Sequence, residues 1–269
     1  MNHFGTSGQK HIMNPITKHI AHYFLSGCIA ILLAAAPLGA QTAKELISYG
    51  EDQLEGKTSR GTYTMNVVTP EYERNMEMKY WWDGENDRAL IKTIAPKKEE
   101  GNKWLKIGNE MWQYLKTTET TIKIPPSMML QSWNGSDFTN DDLARESDVS
   151  DDYTHKIIAE ESNRGEACWK IASTPKPNAP VVWGRLYTWV RKKDKLPSTI
   201  QYYEENGKLV RTMVYSDFKM MDGRKIPAKW TMYNKVKEGH RTEFIVEDVD
   251  FNTDIPDRMF SFRELERGN

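Results

Sequence analysis

Residues 75–82 read Asn-Met-Glu-Met-Lys-Tyr-Trp-Trp. Apolar side chains fall on every second position of this stretch, at Met76, Met78, Tyr80 and Trp82. A period of two places such residues on one side of a β-strand, because successive side chains of a strand point to opposite sides. The stretch therefore predicts a strand with one apolar face and one largely polar face.

Similar strand-like runs recur along most of the chain. They occupy residues 63–68, 89–94, 104–107, 112–114, 122–124, 153–159, 169–172, 182–191, 200–203, 209–218, 226–233 and 244–251. Turn signals such as Glu205-Asn206-Gly207 separate some of them. About a dozen short strands without β-α-β alternation predict a mainly β fold, with a single antiparallel sheet curled into a barrel or half-barrel.

One amphipathic helix is expected before the first strand. Residues 42–54 carry apolar side chains at Leu46, Ile47 and Leu54, and Thr42 fits the position of an N-cap. No Pro-rich or Gly-rich linker interrupts the sequence that follows. Residues 41–269 are therefore expected to form one domain.

The first 40 residues have the layout of a secretory signal peptide. A polar start with Lys10 and Lys18 leads into an apolar run from Ile20 to Ala40, and cleavage is expected after Ala40. Two alternatives are an uncleaved membrane anchor and a lipoprotein whose mature chain begins at Cys28, because Leu25-Ser26-Gly27-Cys28 matches a lipoprotein cleavage box. The favoured interpretation is an exported protein located in the periplasm.

The composition excludes several classes of function. With 37 Lys and Arg against 38 Asp and Glu, the chain lacks the excess of positive charge that a general nucleic-acid-binding protein carries. Two cysteines and six histidines, without ligand spacing, predict neither a disulfide framework nor a metal site. No nucleophile elbow, phosphate loop or dinucleotide-binding motif is present, so the sequence predicts no catalytic residues and no cofactor.

The segment from Pro125 to Ser147 interrupts the strands and is expected to cover the sheet. A short helix after Pro125-Pro126 would present Met128, Met129, Leu130 and Trp133, and the pair Thr139 and Asp142 resembles a capping box for a second short helix. Helices this short need tertiary packing for stability. They are therefore expected to lie against the apolar face of the sheet.

A face rich in methionine and aromatic residues suits a cavity for an apolar ligand. The candidate lining residues on the strands are Met65, Met76, Met78, Tyr80, Trp82, Trp112 and Tyr114. An alternative is that these side chains fill the interior of the barrel, because alternation alone does not distinguish a filled barrel from a hollow one.

The stretch from Ser132 to Leu143, Ser-Trp-Asn-Gly-Ser-Asp-Phe-Thr-Asn-Asp-Asp-Leu, resembles the signature of the LolA-like family of periplasmic outer-membrane lipoprotein-sorting proteins. The order of the surrounding features is also similar: a signal peptide, one helix, strands, Pro96 before two lysines, a Met-rich short helix and a closing segment 260–265. The chain departs from the pattern at Lys116, where a proline is expected after Leu115. The resemblance covers essentially all of residues 41–269.

The resemblance implies an unclosed half-barrel of the LolA/LolB type, with short helices as a lid over a concavity that holds acyl chains. Met128, Met129, Leu130 and Trp133 would form part of the lid, and Phe138 would pack inward. Gly135, Ser136, Asp137, Asn140, Asp142 and Leu143 belong to the motif loop. For Ser136, Asp137 and Asp142, the alternative is a role in shaping the loop without contact with ligand.

The functional hypothesis is a non-enzymatic carrier of lipids or lipoprotein acyl chains between the inner and outer membranes. The implied partners are an inner-membrane transporter of the ABC or RND type and an outer-membrane acceptor, with the protein as a monomer. Two alternatives stay open: a lipid-sensing accessory protein of a transporter, and an enzyme that uses the apolar cavity to orient a substrate.

Overall fold

The computed structural model describes residues 42–145, 149–179 and 181–267. The predicted signal peptide, residues 1–40, lies outside this range. No helix of the described part is long and apolar enough to cross a membrane.

Thirteen strands form one antiparallel sheet within the described residues. Their bounds are β1 Thr58–Val68, β2 Glu73–Asp83, β3 Arg88–Ala95, β4 Lys103–Ile107, β5 Glu110–Leu115, β6 Thr120–Lys123, β7 Tyr153–Asn163, β8 Glu166–Pro175, β9 Arg185–Arg191, β10 Pro197–Tyr203, β11 Leu209–Met221, β12 Arg224–Asn234 and β13 Arg241–Phe251. The spatial order is β6-β5-β4-β3-β2-β1-β13-β12-β11-β10-β9-β8-β7. Because β6 and β7 occupy the two edges, the described sheet is unclosed, which confirms the predicted fold class.

Helix α1 (Ala43–Glu55) precedes the sheet, as the sequence predicts. Thr42 and Glu45 form a reciprocal capping box, which satisfies two backbone N–H groups at the helix start. Leu46 and Ile47 pack against Ile171 of β8 and Val190 of β9. The helix therefore covers one end of the sheet, on the face called here the inner face.

The inner face can be followed from strand to strand by the register. Met76 of β2 lies opposite Met65 of β1, which lies opposite Phe244 of β13. Phe244 in turn lies opposite Trp230 of β12. Opposed residues of antiparallel strands share a face, so large apolar side chains continue across the middle of the sheet.

The opposite, outer face carries the C-terminal segment. Residues 257–260 form a 3-10 turn, and a short helix, Phe262–Glu266, follows it. Phe260 and Leu265 pack against Leu90 and Leu105 of the sheet. The buried ammonium of Lys103 donates hydrogen bonds to the backbone oxygens of Glu264 at 2.6 Å and Arg267 at 2.7 Å, and burial lowers the pKa of Lys103.

The expectation that Trp112 and Tyr114 share a face with Met78 is wrong. Trp112 lies opposite Leu105, packs with the outer-face cluster and meets the ring of Phe262 at 5.0 Å between centroids. Tyr114 belongs to the same outer cluster. The β4–β5 turn sets a register in which Met111, not Trp112, points inward, and two adjacent large apolar residues in the sequence do not reveal which one does.

Gly61 tests the fit of β1 against β13. A Cβ atom at this position would lie 2.1 Å from the backbone oxygen of Asp248, so an alanine requires the strands to move apart. We expect Gly61→Ala to lower the free energy of unfolding by about 1–3 kcal/mol, measured by urea denaturation. Gly50→Ala is the control, because its Cβ would make ordinary contact with Pro197 and alanine favours a helix. Equal stability of both variants would contradict this account of the strand packing.

Candidate ligand cavity beneath the lid segment

The lid segment, residues 125–145, crosses the inner face between β6 and β7. It contains two 3-10 turns, Pro126–Met128 and Trp133–Gly135, and helix α2, Asn140–Arg145. A bridge pairs Ser132 with Thr139 and closes the motif loop between them. The tight turn uses left-handed backbone at Asn134 (φ 49°) and Gly135 (φ 73°).

The apolar residues of the lid segment differ in how far they are buried. Met129, Trp133 and Phe138 are buried, Trp133 to 1% exposure. Met128 is 38% exposed and Leu130 60% exposed. The predicted inward packing therefore holds for Met129, Trp133 and Phe138, whereas Met128 and Leu130 lie on the solvent side of the lid segment.

Ser136 shapes the motif loop from within. Its hydroxyl donates to the backbone oxygen of Trp133 at 2.7 Å and accepts from the backbone N–H of Phe138 at 3.2 Å. Ser132 closes the loop from the other side by donating to the backbone oxygen of Ser136 at 2.5 Å. These contacts give Ser136 a loop-shaping position.

Asp137 ties the motif loop to the sheet. Its carboxylate accepts hydrogen bonds from Thr242 of β13 at 2.9 Å and Asn234 at the end of β12 at 3.0 Å. The backbone N–H of Asp137 also donates to the Thr242 hydroxyl at 2.8 Å. Elsewhere in the segment, Asn140 donates to the backbone oxygen of Met128 at 3.0 Å.

Asp142 anchors helix α2 through a buried ion pair. It caps the helix by accepting from Thr139, and both of its oxygens accept hydrogen bonds from the guanidinium of Arg211 on β11. The guanidinium of Arg211 lies 4.3 Å from the ring centre of Trp183 and 4.4 Å from that of Tyr202. In the 3-10 turn Trp133–Gly135 of the lid segment, the backbone oxygen of Asn134 accepts a hydrogen bond from Arg74 of β2. Together with Asp137, these contacts hold the lid segment against the sheet.

A cavity of about 150 Å³ lies on the inner face beside the lid segment. Of the predicted residues, Met78, Tyr80, Trp82, Trp133, Phe138 and Leu143 line it. Met65 and Met76 are buried in the layer that packs under the lid segment and do not reach the cavity. Trp112 and Tyr114 lie on the outer face, and Met128, Met129 and Leu130 are not among the lining residues.

Sequence reasoning missed much of the lining because it comes from distant strands. Tyr63, Ile91, Tyr215, Trp230 and Phe244 all face the cavity. The aromatic rings are in mutual contact: Tyr63 lies 4.4 Å from Tyr80, and Phe138 lies 4.9 Å from Phe244, between ring centres. The alternation of apolar and polar residues around them predicts that they lie on strands. Only the order of the strands in the sheet shows that they meet at one cavity.

The lining of the cavity contains few polar or charged side chains. Glu55 is the only charged side chain among its described lining residues. Burial raises the pKa of Tyr80, so its phenol stays protonated at neutral pH. No group of three or more His, Cys, Asp or Glu side chains among the described residues is placed to hold a metal ion. The arrangement suits an uncharged, largely apolar ligand.

The cavity is small for a whole lipid. A cavity of about 150 Å³ in other proteins holds one benzene ring, whereas sites for drug-sized ligands measure about 300–1,000 Å³. A second space of about 80 Å³ also borders Phe138 and is lined by Tyr153, Trp183 and Met213 among others. An acyl chain would therefore extend beyond this cavity or displace part of the lid segment.

Residues 85–267 match a family model described as that of an uncharacterized protein. No curated protein gives a match. Among solved structures, a DUF1329 family protein from Desulfovibrio piger is similar with a TM-score of 0.75 and 22% identity, covering 83% of this chain and 97% of that one.

Two further structures share the fold. A domain assigned to outer membrane lipoprotein sorting, from Vibrio parahaemolyticus, has a TM-score of 0.73 and 18% identity and covers 84% of this chain and 98% of its own. A LolA superfamily protein from Nitrosomonas europaea has a TM-score of 0.70 and 20% identity and covers 84% of this chain and all (100%) of its own. These likenesses show the fold.

The Arg211 ion pair gives a test of how the lid segment is held. Asp142→Ala leaves a buried guanidinium without its carboxylate, and we expect the free energy of unfolding to fall by about 3 kcal/mol. Hydrogen exchange should also become faster in residues 133–143. The control is Asp151→Ala, which removes an exposed ion pair with Lys44 and should cost less than about 1 kcal/mol. Unchanged exchange in the lid segment of Asp142→Ala would show that the pair does not hold it.

Proposed function

The chain belongs to the family whose model spans residues 85–267 and has the LolA-superfamily fold, and from this premise we propose that it is a non-enzymatic carrier of lipid or lipoprotein acyl chains. The observation that carries the proposal is the apolar cavity between the inner face and the lid segment. The chains would bind in this cavity and travel between the inner and outer membranes.

The lining supports binding of hydrocarbon. Aromatic and aliphatic side chains make up most of it, with Trp230, Phe244 and Ile91 on the sheet and Phe138 and Leu143 on the lid segment. Each buried methylene contributes about 0.8 kcal/mol, so even a few methylenes of one chain give measurable affinity. A carrier needs this affinity to stay moderate, because it must also release its cargo.

The layer beneath the lid segment supports adaptation to cargo. Met65, Met76, Met78, Met111 and Met129 belong to a single buried cluster. Methionine is unbranched and its thioether is polarisable, so it repacks around irregular shapes at lower cost than β-branched residues. A methionine layer therefore suits a lid segment that moves away from the sheet and returns.

We place the carrier in the periplasm, because residues 1–40 have the pattern of a cleavable signal peptide. The partners proposed are an inner-membrane transporter of the ABC or RND type as donor and an outer-membrane acceptor. The near-equal numbers of acidic and basic residues argue against nucleic acid as a partner. A monomer is sufficient for the proposed role, because a single chain supplies both the inner face and the lid segment.

Filling the cavity should abolish binding without unfolding the protein. Ala89 lines the cavity, and Ala89→Phe places a ring in a space large enough to hold one. We expect at least about a tenfold loss of affinity for a fluorescent acyl probe, with stability changed by less than about 1 kcal/mol. Ala167→Phe, at an exposed position of β8, is the matched control and should bind as the wild type does. Equal binding by all three proteins would place the ligand outside this cavity.

Native mass spectrometry of protein purified from a bacterial periplasm tests occupancy directly. A lipid bound at about one per chain supports the proposal, and empty protein that also rejects acyl probes overturns it. Transfer of labelled lipid between donor and acceptor vesicles then separates a carrier from a sensor, because a sensor binds lipid without accelerating its transfer. Chemical turnover of the bound lipid would instead indicate an enzyme.

A further inference from the structure

We propose that the cavity is selective for acyl chains that carry a neutral hydrogen-bond acceptor, such as an ester or amide carbonyl, over free fatty acids. The subsite for this group consists of the Trp82 indole N–H with the hydroxyls of Ser59 and Tyr80. The inference rests on the proposed function and narrows its cargo to a chemical class.

The three residues lie on two neighbouring strands with their side chains on the same face. Ser59 is directly opposite Trp82 in the β1–β2 register, and Gly61 is opposite Tyr80, so Ser59, Tyr80 and Trp82 share the inner face. All three line the cavity. The Trp82 indole nitrogen is buried without a hydrogen-bond partner among the described residues. A buried donor in this state costs free energy, which an acceptor on the ligand would recover.

The subsite is neutral, and its surroundings disfavour an anion. An indole N–H does not ionise, and burial raises the pKa of Tyr80, so both groups remain donors at neutral pH. The charged residue of the lining, Glu55, is acidic. The ammonium of Lys106, which lies 5.2 Å from the centre of the Trp82 ring, is paired with Asp87. A carboxylate would therefore lose its hydration without gaining a counter-charge.

Two other tryptophans of the lining provide comparisons. The indole nitrogen of Trp230 donates to the backbone oxygen of Pro227 at 2.8 Å, so its hydrogen bond is already made. The Trp133 nitrogen is also buried without a described partner, and its ring packs against the rings of Trp104 and Phe244. Trp82 differs from both in lying directly opposite a serine, Ser59, on the same face of the sheet.

The experiment compares three ligands on three proteins. Methyl octanoate, undecane, which has the same number of heavy atoms, and octanoate are each used at pH 7 to displace Nile red. The proteins are the wild type, Trp82→Phe and Trp230→Phe. Both substitutions keep an aromatic ring and remove an indole N–H, so loss of ring area is matched between them.

We expect the ratio of methyl octanoate affinity to undecane affinity to fall about fivefold in Trp82→Phe and to change less than about twofold in Trp230→Phe. Octanoate should bind the wild type at least about tenfold more weakly than its methyl ester. An unchanged ratio in Trp82→Phe, or octanoate that binds as tightly as the ester, would overturn the selectivity. Undecane and the ester would then still bind, and the proposed function would stand.

A second measurement needs no variant. The carbonyl stretching band of methyl octanoate bound to the wild type should lie at lower frequency than in hexadecane, because a donated hydrogen bond weakens the carbonyl bond. A band at the hexadecane frequency would overturn the subsite. Failure of Nile red and all three ligands to bind would overturn the proposed function together with this inference.

Discussion

β1 and β13 are the first and last strands in the sequence. Their antiparallel pairing joins the two halves of the strand series into one sheet, and the rest of the structure depends on it. Arg60 and Asp250, 190 positions apart, meet across this pair. From β1 the strands β2 to β6 run outward in sequence order, and from β13 the strands β12 to β7 run outward in reverse order. As a result, β6 and β7 lie at opposite edges although they follow each other in the sequence.

The lid segment is a consequence of that order. The chain between Lys123 and Tyr153 has to connect the two edges, and its described lid segment, residues 125–145, crosses the apolar inner face. Such a crossing is stable only if the connection buries apolar side chains of its own and pairs its polar groups. Trp133 and Phe138 meet the first condition, and Ser136 and Asp137 meet the second. The position of the motif loop therefore explains why it contains both large apolar residues and polar residues with hydrogen-bond partners.

Alternation of apolar residues was enough to predict the strands, the mainly β fold and the inward face of β2, because a half-buried strand repeats every two residues. It failed at β5, where Met111 and Trp112 are adjacent and the register of the β4–β5 hairpin decides which one points inward. It also gave no sign of Arg74 and Arg211, which hold the lid segment from strands remote in sequence. A charged residue in a strand is usually solvent-facing, and only the folded sheet shows these two beside the lid segment.

For the proposed carrier, the balance between an empty and a loaded state would follow from what the lid segment covers. Trp133 and Phe138 pack on Phe244, and a displaced lid segment would expose these rings to water. An acyl chain inserted between lid and sheet replaces the lost contacts with new ones of the same apolar kind, so the net cost of opening is lowest when cargo is present. The polar anchors act differently, because the carboxylate of Asp142 and the guanidinium of Arg211 gain nothing from a hydrocarbon. Opening around Trp133 and Phe138 would therefore also have to release the hydrogen bonds of Asp137 to β13 and of Arg74 to Asn134, whereas helix α2 could stay anchored to β11.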